Sequence, residues 1–432
     1  MNTNAARRPS RRRDFLKQIS LAGVGGLILP RRILAGWPDA LSRVVIVEDT
    51  SATNGNAING SVVNTMMDAG IMSLAQAGDV GSAWKALLPG ITSASTVAIK
   101  VNTLFPPLIT HPVVAMAVAN SLKEMTFGEK AFPENNIIIY DNWSYNLATA
   151  GYTINTSGTG VRCFGTEYGW SPQIYYVAGQ SQQLSNIVTD IADYIINLAV
   201  LKNHYISGVT LCLKNHLGTC RMGTNFQTYF HETYGTPYIA ALNALAPIKA
   251  KQKVNIINAL FGAYSGGPTA VPQFAANRLI MSTDPVAADY QGKKLLIEKG
   301  CQTAGIAYHI DVAATTYGLG TNDPAQMDVV LLTNPSGIGD ALPLPSHIQL
   351  FQNYPNPFNP STTIRYSIPH AAHVSLTVYT MTGQIVSRLV DRRQEAGQYE
   401  ERFDGSGIPS GVYVYRLNAG GTDLSRKMVY LK

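Results

Sequence analysis

The segment Leu201-Lys202-Asn203-His204-Tyr205-Ile206-Ser207-Gly208-Val209-Thr210-Leu211-Cys212-Leu213-Lys214-Asn215-His216 gathers two lysines, two histidines and two asparagines around a Gly-Val-Thr turn. It follows an apolar run, Tyr194 to Leu201, that reads as a buried strand. Polar groups of this reach are costly to bury unpaired. Strand ends in open α/β sheets are where ligands usually sit. The segment is therefore expected to be a binding or catalytic edge rather than a solvated loop.

The residue types define the chemistry available there. Histidine moves protons near neutral pH, and His204 and His216 are two of only five histidines in the central region, with His111, His231 and His309. Lysines converging at strand ends make a pocket for a carboxylate or phosphate. Lys100 and Asn102, after the strand Val97 to Ile99, are expected to join Lys202 and Asn215 in binding substrate. His204, Lys214 and Asp289 are the expected catalytic groups. A divalent metal would suit mixed nitrogen and oxygen ligation, with His216, Asp141 and Asp284 as expected ligands and His204 and Asp289 as alternatives. Asp284 fits a second role equally, capping a helix whose first residue is Pro285.

Several chemistries find no support. There is no His-x-x-x-His or His-Glu-x-x-His, so the zinc-hydrolase pattern is missing; His231-Glu232 lacks the second histidine. Ser265 lies outside any Gly-x-Ser-x-Gly elbow, and Gly262 to Gly267 reads as a flexible loop or lid. Asn54-Gly55 is not followed by the Gly-Lys-Ser/Thr of a phosphate loop. The four cysteines, Cys163, Cys212, Cys220 and Cys301, form no Cys-x-x-Cys, and no iron–sulfur cluster is expected. In an oxidising compartment they allow three complete pairings.

These residues need a scaffold, and the apolar runs supply one. Val44–Val47, Val97–Ile99, Ile137–Tyr140, Ile195–Leu201, Val254–Ile257, Leu279–Met281 and Val329–Leu332 read as strands. Helical stretches Ser61–Ala75, Pro112–Glu124, Ser185–Tyr194 and Pro285–Lys299 separate several of them. Such alternation predicts an α/β domain over 41–335, with a largely parallel sheet and flanking helices. A Pro- and Gly-rich linker at 336–346 leads to 347–432, where period-2 alternation, as in Val374–Tyr379 and Gly411–Leu417, predicts a small β-sandwich.

The two ends of the chain read as addresses. Ser10-Arg11-Arg12-Arg13-Asp14-Phe15-Leu16-Lys17, followed by an apolar Gly-rich run from Ile19 to Leu29, matches a twin-arginine signal peptide over 1–35. That leader carries eight basic residues and one acidic, +7 of the chain's net +6, so the remainder is close to −1. No basic cluster remains for a nucleic-acid partner, and none is expected. The tail opens Asn353-Tyr354-Pro355-Asn356-Pro357-Phe358-Asn359-Pro360, continues through Ser410-Gly411-Val412-Tyr413 and closes near Lys427-Met428-Val429. It resembles the type A sorting domain of the type IX secretion system. The resemblance implies passage across an outer membrane, so the twin-arginine and type IX machineries are expected partners and the periplasm, then the cell surface or exterior, the expected locations.

In the centre, Val97-Ala98-Ile99-Lys100-Val101-Asn102, the stretch Lys202 to Gly218 and Ser282 to Asp289 together resemble the domain of unknown function 362 family. Some members are joined to ferredoxin modules, whose cysteines this chain lacks. A second segment, His204 to Lys214 with Tyr205, Gly208 and Thr210 between, is similar to the nickel-pincer lactate racemases. That likeness implies His204 as acid/base and Lys214 as a cofactor tether, although Leu211-Cys212-Leu213 departs from that family's Gly-rich sequence. The expected function is an exported metal- or cofactor-dependent enzyme acting on a small anionic organic substrate. A non-catalytic surface or periplasmic binding module and a redox-associated protein are the alternatives.

Overall fold

The computed structural model describes residues 41–221, 224–337, 348–353, 355–395 and 397–432. The expected signal peptide lies outside the described residues, as does most of the expected linker.

The central sheet uses every predicted run. Its strands are β1 (Ser42–Glu48), β2 (Val97–Lys100), β3 (Ile137–Asp141), β4 (Arg162–Gly165), β5 (Tyr194–His204), β6 (Gly208–Thr210), β7 (Gln252–Ala263), β8 (Phe274–Ser282) and β9 (Met327–Thr333). Their order across the sheet is β9-β1-β8-β7-β5-β2-β3-β4, with β6 paired to the end of β5. The pairings β9–β1, β7–β5, β5–β2, β2–β3 and β3–β4 are parallel. Only β8, between β1 and β7, and the short β6 run antiparallel to their neighbours.

These strands read as near-continuous apolar runs because both faces are covered. On β5, Ile196 and Leu198 join one core with helices α1 (Gly60–Ala75) and α2 (Pro112–Lys123). Ile195, Ala199 and Leu201 join the opposite core, against α3 (Cys212–Asn215), α4 (Tyr238–Asn243), α5 (Pro285–Glu298) and α6 (Tyr308–Thr315). Each such aliphatic side chain contributes about 1.5–3 kcal/mol when fully buried.

One local expectation differs. Ser185–Tyr194 is helical over Ile187–Ile191 alone, a short π-helical segment, and β5 then begins at Tyr194. Outside the main sheet, Trp170–Val177 pairs with Gln180–Ser185 as a hairpin. The C-terminal region forms the expected sandwich, with sheets of three strands (Gln349–Leu350, Ser361–Ile368, Gly397–Asp404) and four (Ala372–Thr380, Ile385–Gln394, Gly411–Ala419, Thr422–Tyr430). Among the described residues no helix is long and apolar enough to cross a membrane.

Candidate functional site

Chain order and sheet order together locate a crevice. From β2 the chain moves outward to β3 and β4, then returns to the other side of β2 as β5 and continues to β7. Loops leaving β2 and β5 therefore diverge, which is the switch point where ligands bind in open α/β sheets. The strands are also unequal in length. Lys100, the last residue of β2, pairs with Asn197, so residues 198–204 of β5 stand beyond the end of β2 and wall the crevice.

At its base lies a closed polar network. Lys100, 1% exposed, donates from Nζ to Asp141 Oδ1 at 2.7 Å, to the Val101 carbonyl at 2.7 Å and to Asn215 Oδ1 at 3.4 Å. The other Asp141 oxygen accepts from the Thr103 N–H and hydroxyl at 2.6 and 2.7 Å. Asn215 donates to Asn197 Oδ1 at 2.8 Å and to the Lys100 carbonyl at 3.2 Å, and accepts from Asn102 Nδ2 at 3.3 Å. Gly218 permits this approach: a Cβ there would sit 2.7 Å from Asp141 Oδ1 and 2.8 Å from Lys100 Nζ. Only Asn102 Oδ1 is left buried without a partner.

Above that base the charges are no longer balanced. Lys202 donates to the carbonyls of Leu104 and Leu108 at 3.3 and 3.0 Å, and burial pulls its pKa down to about 8. Lys214, on α3, has no hydrogen-bond or ion-pair partner among the described residues; its ammonium lies 5.4 Å from the centre of the Phe230 ring. Burial, then the charges of Lys202 and Lys100, lower its pKa to about 7. The Phe230 and His204 rings are perpendicular at 6.0 Å, so one aromatic ring neighbours both His204 and Lys214.

His204 is held as a neutral donor. Its Nδ1 accepts from the N–H of Ile206 and of Ser207, both at 3.2 Å, which places the ring proton on Nε2. Burial, and then Lys214, Lys202, His231 and His309, depress its pKa to about 2. His309, on α6, is fully buried with neither ring nitrogen hydrogen-bonded; burial and Lys214 bring its pKa to about 3. No motif marked His309, since it stands alone some hundred positions beyond the signature segment.

Asp289 sits beneath this cluster. Its carboxylate accepts from the N–H of Cys212 and Leu213 at 2.7 and 2.9 Å and so fixes α3, the element that carries Lys214 and Asn215. Burial raises its pKa to about 7 against the opposing effect of those N–H groups. It positions other groups and does not face the crevice charges.

The three residues expected to bind metal are dispersed. Asp141 is occupied by Lys100 and Thr103. His216 bonds to Gln252, at the start of β7, and to Thr219. Asp284 caps α5, accepting from Val286 and Ala287, and lies at the opposite end of the strands because β8 runs antiparallel. No group of three or more His, Cys, Asp or Glu able to hold a metal occurs among the described residues. These residues do not fit a metal centre. The Lys214 amine is free to carry a tethered group, but the chemistry considered below rests on the protein's own groups.

The 262–267 loop expected as a lid is fastened to the strand. Asn203 Oδ1 accepts from the Gly267 N–H at 2.8 Å and the Tyr205 N–H donates to the Gly267 carbonyl at 3.2 Å. The four cysteines are free and buried, with the thiols of Cys163 and Cys220 pushed up to about 12.

Fold and crevice define a doubly wound α/β domain with a basic switch-point site, joined to a β-sandwich export module. Residues 97–293 match the family model described as domain of unknown function (DUF362), and residues 352–431 match that of the secretion system C-terminal sorting domain. The central domain is thus a DUF362 domain, and the type IX sorting domain directs the chain to the cell surface or the extracellular space. No curated protein matches this chain.

Among solved structures, a Thermotoga maritima protein aligns at 11% identity and TM-score 0.34, covering 59% of this chain and 60% of its own. The chain therefore spans less than two thirds of that relative's length. An engineered protein (9% identity, TM-score 0.17, 90% and 93% covered) and the endo-β-1,4-mannanase of Thermotoga petrophila (10%, 0.15, 87% and 83%) also align. At these scores none bears on fold or activity.

Proposed function

We propose that the crevice between β2 and β5 binds a small organic anion, a carboxylate or phosphate, and that the protein is an exported enzyme acting on it. One observation carries this reading: Lys214 is a half-buried cation without a counter-charge among the described residues, beside a second lysine and two neutral histidines. A partly desolvated ammonium without an anion is costly, and a ligand anion would supply the missing charge. Lys214 binds the anion and, with a pKa near 7, is also available as a neutral amine at mildly alkaline pH.

His204 offers Nε2–H to the substrate and moves a proton as the reaction requires. Lys100, Asn102, Lys202 and Asn215 shape the crevice, and Asp289 positions α3. The twin-arginine motif supports a folded passage into the periplasm before the sorting domain acts.

Calorimetric titration at pH 6.5 with lactate, malate and inorganic phosphate tests the reading. Saturable binding of at least one probe, lost in Lys214→Met, is expected. Absence of binding by all three, or binding unchanged in Lys214→Met, overturns it.

A further inference from the structure

A second cavity, of about 520 Å³, opens elsewhere at the same end of the sheet, bounded by the 107–111 segment after β2, the outer half of β7 and Val271-Pro272. Its size falls within the range of small-molecule sites, roughly 300–1,000 Å³. Its character differs from that of the basic crevice. Ile58, Leu108, Phe261 and Val271 give it apolar walls, and no Lys, Arg, Asp or Glu lines it. Lys202, the nearest cation identified above, spends its ammonium on the Leu104 and Leu108 carbonyls.

Two neutral polar groups interrupt the apolar lining. Asn258 is 5% exposed; its Oδ1 accepts from the Leu260 N–H at 3.2 Å, while its Nδ2 meets no acceptor among the described residues. That Nδ2 is not among the fully buried unpaired polar atoms, so it is open to whatever occupies the cavity. His111 caps α2 through Nδ1, which accepts from the Val113 N–H at 3.2 Å, so its ring proton is on Nε2. Partial desolvation holds its pKa below the usual histidine value, and the ring is neutral at pH 7. Both groups therefore offer hydrogens and neither offers net charge.

We infer that this cavity is a second ligand site, for an uncharged, largely apolar molecule bearing one carbonyl-type acceptor, which Asn258 Nδ2 and His111 Nε2 bind while Leu108, Phe261 and Val271 enclose the hydrocarbon. A charged carboxylate of the same length would lose its hydration without meeting a cation there, so it is excluded. The site needs neither Lys214 nor the anion reading.

The test is ligand-observed NMR titration of the full chain with methyl ketones of six to twelve carbons, beside the matching fatty carboxylates at pH 7.5. Saturable ketone binding is expected for at least one length, at least tenfold tighter than its carboxylate. Val271→Trp fills the opening from an exposed position and should weaken it at least tenfold; Asn258→Leu should remove the preference for ketone over the corresponding alkane. Lys214→Met should leave ketone binding intact. No saturable binding at any length, binding unaffected by Val271→Trp, or carboxylate bound as tightly as ketone would each overturn the inference.

Discussion

Lys100 and Asp141 form a sealed ion pair, 2.7 Å apart with 1% and 5% side-chain exposure, while Lys214 nearby has no anionic partner among the described residues. The contrast separates structural charge from charge held in reserve. Removing one partner of a buried pair leaves the other uncompensated, at about 3–5 kcal/mol. Lys100→Met should therefore lower unfolding stability by that amount in urea. Lys100→Met combined with Asp141→Leu should recover much of the loss.

Lys214→Met should behave in the opposite way. It removes an unpaired, half-buried cation, so stability at pH 6.5 should be unchanged or higher while anion binding disappears. The pH dependence has a definite sign. The unfolded chain keeps this proton up to 10.5 but the native state releases it near 7, so between those values the unfolded state binds more protons. Native stability from this group therefore rises with pH, by at most about 1.4 kcal/mol per unit. Anion affinity falls through the same window as the charge is lost. Thermal melts and titrations from pH 6 to 9 should show both trends in the wild type, and Lys214→Met should flatten its share of the stability slope.

Asp289→Asn exchanges one of two acceptor oxygens for a donor facing the backbone of α3. Leaving one buried N–H unsatisfied costs about 1–3 kcal/mol. Anion affinity should drop without vanishing, since Lys214 remains but its helix is less firmly placed. A variant that lost all binding at undiminished stability would instead mean that Asp289 contacts the ligand.

Gly218→Ala introduces a methyl 2.7 Å from Asp141 Oδ1 and 2.8 Å from Lys100 Nζ. Overpacking of this kind costs about 1–3 kcal/mol. Chemical denaturation should show that loss together with weakened anion binding, because the base of the crevice must shift.

Most of the fold was legible because strands covered on both faces are apolar throughout, and runs such as Ile137–Tyr140 admit few other interpretations. Strand direction was not. Leu279–Met281 reads the same either way, and its antiparallel course is what carries Asp284 to the far end of the strands, away from His204. The lysine, histidine and asparagine cluster was visible because one hairpin, β5 to β6, and one helix, α3, hold it together in sequence. His309 and Asn197 were not: the first arrives from a distant helix, and the second hides inside an apolar run. Asp289 was visible as a residue, but its place beneath α3, rather than facing the crevice, depends on helix packing that no local pattern records.

The sandwich encloses a core of its own, from Leu350 to Tyr430, which shares no residue with the two cores of the α/β domain. A protease acting between Gly337 and Ile348 would divide none of these clusters. The address and the α/β core are therefore packed by separate parts of the chain.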